Sequence, residues 1–258
     1  MANFPEPLKK WSLPGHEIGS NIILYDTVTS TMDFAWSAVE EKCRHGTVIV
    51  SHYQSRGRGR FGREWVSGHG ESFMSSLVLY PDAHMLHQLP IVAALAVLSS
   101  IKTITGIDCT VKWPNDIRIN GKKIAGILVE VRATNEGDTT AVIGIGLNLN
   151  MQITPRSPIK NIATSLYNET GVIFDFYDVC NDIISNLNST YAKAVNGENL
   201  VDIWRTYLDS LGQYVQIKSN DEVISGFAED VNEKGHLILR KGNGDRISVA
   251  SGEVTMQV

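Results

Sequence analysis

Cysteine is scarce in this chain. Cys43, Cys109 and Cys180 are the three in 258 residues, an odd number with no close pair, so a disulfide framework is excluded. Long apolar runs are missing too. The longest, Ile91–Leu98, falls far short of the roughly 20 residues that span a bilayer. The opening stretch, MANFPEPLKKWSLPGH, lacks the apolar core of a secretory signal. A reducing, cytoplasmic location and no membrane association are expected. There is no excess of positive charge: 23 Lys and Arg against 28 Asp and Glu gives 23 − 28 = −5, which argues against a whole-protein grip on nucleic acid. No internal repeat or low-complexity tract stands out.

What is present is ordinary in amount. Hydrophobic residues make up 43% and charged residues 20%, as in globular proteins generally. At 258 residues, about 1.7 domain lengths, one large domain or a main domain with a small companion is expected. A chain of this size buries roughly 70–75% of its extended surface and needs no covalent staples.

Periodicity gives the outline. Asn21–Tyr25 reads as a strand, and Ser30 as an N-cap with Asp33 three residues on, close to a capping box. Met32, Ala35, Val39 and Cys43 then follow at helical spacing. Thr47–Ser51 and Phe73–Tyr80 read as strands, and Pro90 opens an apolar helix over 91–104. From residue 109 the pattern turns to strands at Cys109–Trp113, Ile117–Asn120, Lys122–Val131 and Thr140–Asn148, with Asn120-Gly121 a two-residue hairpin signal. Helices are expected over 175–195 and 199–210. Short strands follow at 214–218, 222–230, 236–240 and 245–250, with turns at Ser219-Asn220, Glu233–Gly235 and Gly242–Gly244. The architecture is α+β with a small appended β-barrel.

Three segments could carry chemistry. Arg56–Trp65 packs four arginines into eight residues of an acidic protein. Its glycines 57, 59 and 62 match G-x-G-x-x-G formally, but no helix follows to face a pyrophosphate, and Arg63-Glu64 stands where a P-loop needs Lys-Ser/Thr. Glycine lets backbone amides approach an anion, and arginine offers bidentate phosphate contacts. The segment reads either as a solvated flexible loop or as a mobile anion-binding flap, with Phe61 and Trp65 able to stack on a flat ring. The second segment is KWPND (112–116), joined across the hairpin to KIAGILVE (123–130). Lys123 opens a strongly apolar strand, where an ammonium either snorkels or meets an anion. Gly126 within that strand suggests the close approach of a ligand or of another backbone. The third, GIGLNLN (144–150), places two glycines in a strand and Asn148 beside them, either a bulge with a turn residue or a ligand contact. His84-x-x-His87 lacks a third ligand nearby, and no G-x-S-x-G elbow occurs.

Taken together, Ser30-Thr31, Tyr53-Gln54, GRGRFGREW (57–65), KWPNDI (112–117), KIAGILVE (123–130), GIGLNLN (144–150) and the closing Ser251-Gly-Glu-Val resemble the biotin protein ligases in order and spacing. The resemblance runs from about residue 21 to the end. It implies a catalytic domain over 21–211 with a mixed sheet like that of class II aminoacyl-tRNA synthetases, an SH3-like domain over 212–258, and residues 1–20 as an N-terminal extension. It also implies two steps: biotin and Mg-ATP give biotinyl-5′-AMP and pyrophosphate, then biotin passes to a lysine of a biotin carboxyl carrier domain.

By the same resemblance, Ser30, Thr31, Met32, Gln54, Gly57, Arg58, Gly59, Arg60, Lys123 and Gly126 would bind biotin. Arg58, Arg60, Arg63, Trp65, Asp116, Lys123 and Asn148 would bind ATP or the adenylate. Lys123 and Arg60 would be catalytic, and Mg2+ would be held by ATP phosphates rather than by the protein. Trp65 would pack on adenine, Asn148 would bond its edge, and Asp116 would lie near the phosphates or the incoming amine. Two positions depart from the family pattern. Met32 replaces the usual Asn, and Phe61 replaces an arginine. About 20 residues precede the first catalytic strand, so the resemblance implies a ligase without a DNA-binding repressor domain; a homodimer is open. A lipoate or octanoate ligase shares the fold, and a nucleic-acid module using the Arg/Gly loop is the rival of another class.

Overall fold

The computed structural model describes residues 5–133, 138–219 and 222–256. Fifteen strands and five α-helices are described. In chain order they are β1 (Lys9–Trp11), β2 (Asn21–Val28), α1 (Thr31–Glu40), β3 (Thr47–Gln54), β4 (Gly57–Arg58), β5 (Glu64–Trp65), β6 (Ser72–Leu79), α2 (Leu89–Thr105), β7 (Thr110–Lys112), β8 (Asp116–Ile119), β9 (Lys122–Ala133), β10 (Thr139–Asn148), α3 (Leu166–Thr170), α4 (Phe176–Val195), α5 (Leu200–Arg205), β11 (Tyr214–Ser219), β12 (Glu222–Val231), β13 (Leu237–Arg240), β14 (Arg246–Val249) and β15 (Glu253–Met256).

Eight strands form one sheet in the order β1-β2-β3-β6-β10-β9-β8-β7. Among them β2 and β3 run parallel and the other neighbours antiparallel, so the sheet is mixed as expected. Strand alternation sends Val48, Val50, Leu77, Leu79 and Ile143 to one face, where α2 and α4 cover them, and Ile49, Val78 and Val142 to the other, where α1 covers them. On that second face α1 reaches only part of the sheet. The remainder is where Gly126 and Gly146 lie, with Gly144 at its border beneath Met32 of α1.

Local chemistry explains the joints. Asn120 (φ 49°) and Gly121 (φ 78°) turn β8 into β9 with both central residues left-handed, the type I′ geometry expected of Asn-Gly. Ser30 caps α1, accepting from Met32 N at 3.3 Å. Asp33 does not complete a capping box; its carboxylate turns to Arg58 instead. Cys43 lies beyond α1, which stops at Glu40. The segment Ala83–Thr105, which ends in α2, is long and apolar enough to cross a membrane by length and composition, but 67% of its most apolar window is buried in the protein core.

The helix expected over 199–210 ends at Arg205. Val111 accepts from Asp209 N (3.0 Å) and donates to Tyr207 O (2.7 Å), which pulls residues 207–209 alongside β7 and out of helical conformation. Lys9–Trp11, within the stretch read as an extension, adds an edge strand against β2. The C-terminal strands form a five-stranded antiparallel sheet in the order β14-β13-β12-β11-β15. Turns at Gly235 (φ 75°) and Gly244 (φ 89°) fall where expected, whereas Asn220 of the expected Ser219-Asn220 turn lies outside the described residues.

Candidate active site

The site is a trough on the part of the sheet that α1 leaves bare. Gly126 of β9 faces Gly146 of β10, and Gly144 faces Leu128. A Cβ on Gly146 would come within 2.7 Å of the Trp65 indole, one on Gly126 within 3.0 Å of Lys123 Nζ, and one on Gly144 within 2.8 Å of Met32 Sδ. Such distances are closer than van der Waals contact, so each glycine is what lets a particular side chain lie flat on the sheet. The room that Gly126 was expected to keep for a ligand is taken here by Lys123 and Trp65. Trp65 Nε1 is buried with no hydrogen-bond partner.

One end of the trough is neutral and polar. Thr31 donates to Gln54 Oε1 from both its backbone N (2.7 Å) and its Oγ1 (3.1 Å), and the buried Ser76 hydroxyl donates to Thr31 Oγ1 (2.8 Å). The Gln54 carbonyl is therefore saturated. Its amide nitrogen meets only the Met74 thioether at 3.2 Å, a weak acceptor, and remains a donor available to a ligand. Ser30, Met32 and Ser75 line the same cavity, whose volume is about 50 Å³.

The other end is cationic. β4 and β5 form a two-stranded hairpin across the trough, with Phe61 (φ 57°) and Gly62 (φ 72°) at its tip in left-handed conformation. Carboxylates meet two of its arginines, and an amide oxygen meets a third. Arg58 lies 3.0 Å from Asp33 of α1 and 2.5 Å from Glu130 of β9, and Arg63 contacts Glu253 of β15. Arg60 donates to Asn115 Oδ1 at 2.9 Å, and Asn115 in turn donates to Ile127 O at 2.7 Å, which ties the hairpin to the KWPND turn and to β9. Burial pushes Arg60 down from its ordinary pKa, partly offset by Asp116 and Glu253. The Arg63 hydrogen bond holds Glu253 below the usual carboxylate range.

Beyond Lys123 lies a second cavity of about 120 Å³, lined by the hairpin, residues 112–116 and residues 252–254 of the second sheet. Lys123 Nζ is 2.6 Å from Asp116 Oδ1 and 5.5 Å from the centre of the Trp65 ring. The structure thus brings Ser30, Thr31, Met32, Gln54, Arg58, Gly59, Arg60, Trp65, Lys123 and Gly126 to the first cavity, and Arg63 and Asp116 to the second. Gly57 packs under Trp65, where a Cβ would come within 2.3 Å of its carbonyl. Asn148, expected at the adenine edge, sits at the end of β10. It is buried, lines neither cavity and donates to Thr164 O at 2.8 Å, fixing the chain that runs beside Lys123. Sequence reasoning passed over Asn115, Ser76, Asp33, Glu130, Glu253 and Lys112. Asn115 and Lys112 lay inside a motif already singled out, whereas the acids are on elements distant in sequence.

Comparison with known proteins gives the family. Residues 24–150 match the biotin/lipoate A/B protein ligase family, and residues 210–256 match the biotin protein ligase C-terminal domain. The bifunctional ligase/repressor BirA of Bacillus subtilis is 32% identical over 240 residues, covering 91% of this chain and 74% of its own. The biotin–[acetyl-CoA-carboxylase] ligase of Paracoccus denitrificans is 31% identical, covering 79% of this chain and 88% of its own. Among solved structures, the Aquifex aeolicus biotin protein ligase in complex with biotin and ATP superposes with a TM-score of 0.79 at 28% identity, covering 92% of this chain and 98% of that one.

Proposed function

This chain belongs to the biotin protein ligases, and from that premise we propose that it joins biotin to ATP and then passes biotin to a lysine of a biotin carboxyl carrier domain. One observation carries the reading: a trough with a neutral donor held only by a thioether, Gln54 Nε2, at one end and the cations Lys123 and Arg60 at the other. Biotin has the matching polarity, a ureido carbonyl at one end and a carboxylate at the other.

In this proposal Ser30, Thr31 and Gln54 hold the ureido ring, with Met32 closing the apolar wall where an Asn would have given one more polar contact. Gly57 and Gly59 let the hairpin backbone come close, and Arg58 secures it through Asp33 and Glu130. Lys123 and Arg60 hold the biotin carboxylate against the α-phosphate. A carboxylate oxygen attacks phosphorus, the bond to the β-phosphate oxygen breaks, and pyrophosphate leaves with the electron pair. Preorganised cations at that point act where charge develops, which is their largest leverage on rate. Arg63 and Asp116 border the phosphates. Magnesium enters on the ATP phosphates, and the Asp116 carboxylate is a hard oxygen donor suited to that ion. The ε-amine of the carrier lysine then attacks the carbonyl carbon of the mixed anhydride, and AMP leaves.

The first cavity is well under the roughly 300 Å³ of typical small-molecule sites, so ligand entry in this reading displaces the Trp65 indole from Gly126 and Gly146. The displaced ring is then placed to pack on the adenine. We also propose that the Arg/Gly segment serves the ligase and not an operator, since Arg58 and Arg63 are paired with acids in a chain of net charge −5. Biotin-dependent exchange of label between pyrophosphate and ATP tests the whole reading, with lipoate as control. Exchange with biotin and none with lipoate is expected; exchange with lipoate alone would move the chain to the lipoate branch of the fold.

A further inference from the structure

We propose that Lys112 holds the leaving pyrophosphate, in a compartment it shares with Arg63 at the junction of the two sheets. This deepens the adenylation reading above and rests on it. The geometry comes first. The second cavity adjoins the glycine trough, shares Arg60, Trp65 and Lys123 with it, and is otherwise walled by Lys112–Asp116 and Gly252–Val254. In phosphoryl-group chemistry the attacking and leaving oxygens lie roughly in line through phosphorus, so the two need separate space. With the acyl group in the trough and the α-phosphate at Lys123, the adjoining cavity is the space for the leaving oxygens.

Charge supports the same assignment. Four cations line the compartment, Arg60, Arg63, Lys112 and Lys123, against three carboxylates, Glu64, Asp116 and Glu253. Asp116 is committed to Lys123 and Glu253 to Arg63, while Glu64 is exposed. Lys112 is half-buried and has no ion pair or hydrogen bond from its ammonium among the described residues. Burial pushes its pKa below the ordinary lysine value, partly offset by Asp116, Glu253 and Asp209 at a distance. A half-buried cation with no anion in contact gains when one arrives during the working cycle. The acceptor amine is the other group that must reach the activated carboxyl, but a compartment with surplus positive charge repels an ammonium and attracts a polyphosphate.

The test separates the two half-reactions in the full chain. Enzyme carrying preformed biotinyl-5′-AMP is titrated with magnesium pyrophosphate, and reversal to ATP is followed. In a second arm the same complex is given a carrier domain and no pyrophosphate. Lys112→Ala and Lys112→Gln are expected to need about 10- to 100-fold more pyrophosphate for half-reversal, the worth of one charge-assisted contact. Lys112→Arg should restore the wild-type requirement to within a few-fold. Transfer from preformed adenylate should stay within a few-fold of wild type in all three, because pyrophosphate is absent from that complex. A merely structural lysine would depress both arms together, and that result overturns the assignment, as does an unchanged pyrophosphate requirement. Wild-type enzyme that forms no adenylate at all overturns the ligase reading, and this assignment with it.

Discussion

The two flanks of Lys123 are balanced in different ways. On the sheet side, Arg58 meets Asp33 and Glu130, and Gln54 meets Thr31, all within the eight-stranded unit. On the junction side, Arg63 takes its carboxylate from β15 of the other sheet, and Lys112 has none among the described residues. On the sheet side the charges are matched, and the neutral Gln54 amide is left with only a weak acceptor. On the junction side a cation lacks a contact partner, so that flank suits an anion that comes and goes. In the proposed reaction the difference sets the substrate on one side and the leaving group on the other.

The comparison is broken most severely at its midpoint. Lys123→Ala removes the cation common to both cavities and should lower adenylate formation by about 10²–10³-fold, read as pyrophosphate exchange with the fold intact by circular dichroism. An effect of only a few-fold would make Lys123 a snorkelling residue paired with Asp116 and no more. Arg60→Gly comes next. It removes the 2.9 Å tie to Asn115 that fastens the hairpin over the trough. A charge-assisted contact of roughly 1.5–3 kcal/mol corresponds to about 10- to 150-fold faster escape of adenylate. The variant should keep more exchange activity than Lys123→Ala, because Lys123 still meets the α-phosphate, and should label bystander proteins such as serum albumin, scored on a streptavidin blot; loss of exchange as complete as in Lys123→Ala would leave Arg60 no separate part in retention.

Gly146→Ala probes the balanced flank from beneath. A methyl group 2.7 Å from the Trp65 indole forces the ring off the sheet, at about 1–3 kcal/mol of overpacking, seen as a lower melting temperature and altered tryptophan emission. Unchanged emission would show that the trough has slack. The smallest effect is expected at Glu253→Gln, which frees Arg63. The KM for ATP should fall about two- to five-fold, the worth of a partly exposed ion pair. The sign with pH follows from the depressed carboxylate. The tie is fully formed above the ordinary carboxylate pKa and is lost as pH falls through the lower folded value, so acid titration should cost wild type a stability increment that Glu253→Gln lacks.

Much of this arrangement was legible in residue order. Ser30 as a cap, Asn120-Gly121 as a hairpin and the apolar run beginning at Pro90 are local signals, and each is found where the local chemistry puts it. β1 escaped notice because KKW is too short and too charged to show alternation; it is a strand only because β2 offers it an edge. The early end of α5 is likewise a tertiary effect, set by backbone bonds to Val111 across about 100 residues of chain. At the site, the arginines and glycines were visible but their partners were not. Asp33, Glu130 and Glu253 lie in patterns already noted, but only folding shows that they meet Arg58 and Arg63. Asn148 shows the converse: its motif is conspicuous, but its bond to Thr164 O appears only in the fold.

The partnerless indole of Trp65 has an optical consequence. The chain has five tryptophans. Trp11, Trp36 and Trp113 donate to Asn181, Glu130 and Gly235 respectively, while Trp65 and Trp204 have buried, unbonded N–H groups. Of those two, only Trp65 borders the trough, stacked near the Lys123 ammonium. An excited indole is sensitive both to a nearby cation and to a new acceptor for its N–H, so filling the trough changes the surroundings of this chromophore far more than those of the other four. The protein therefore carries a built-in emission signal for occupancy, and with Trp65→Phe as the dark control, ligand entry can be timed in a stopped-flow instrument without any label.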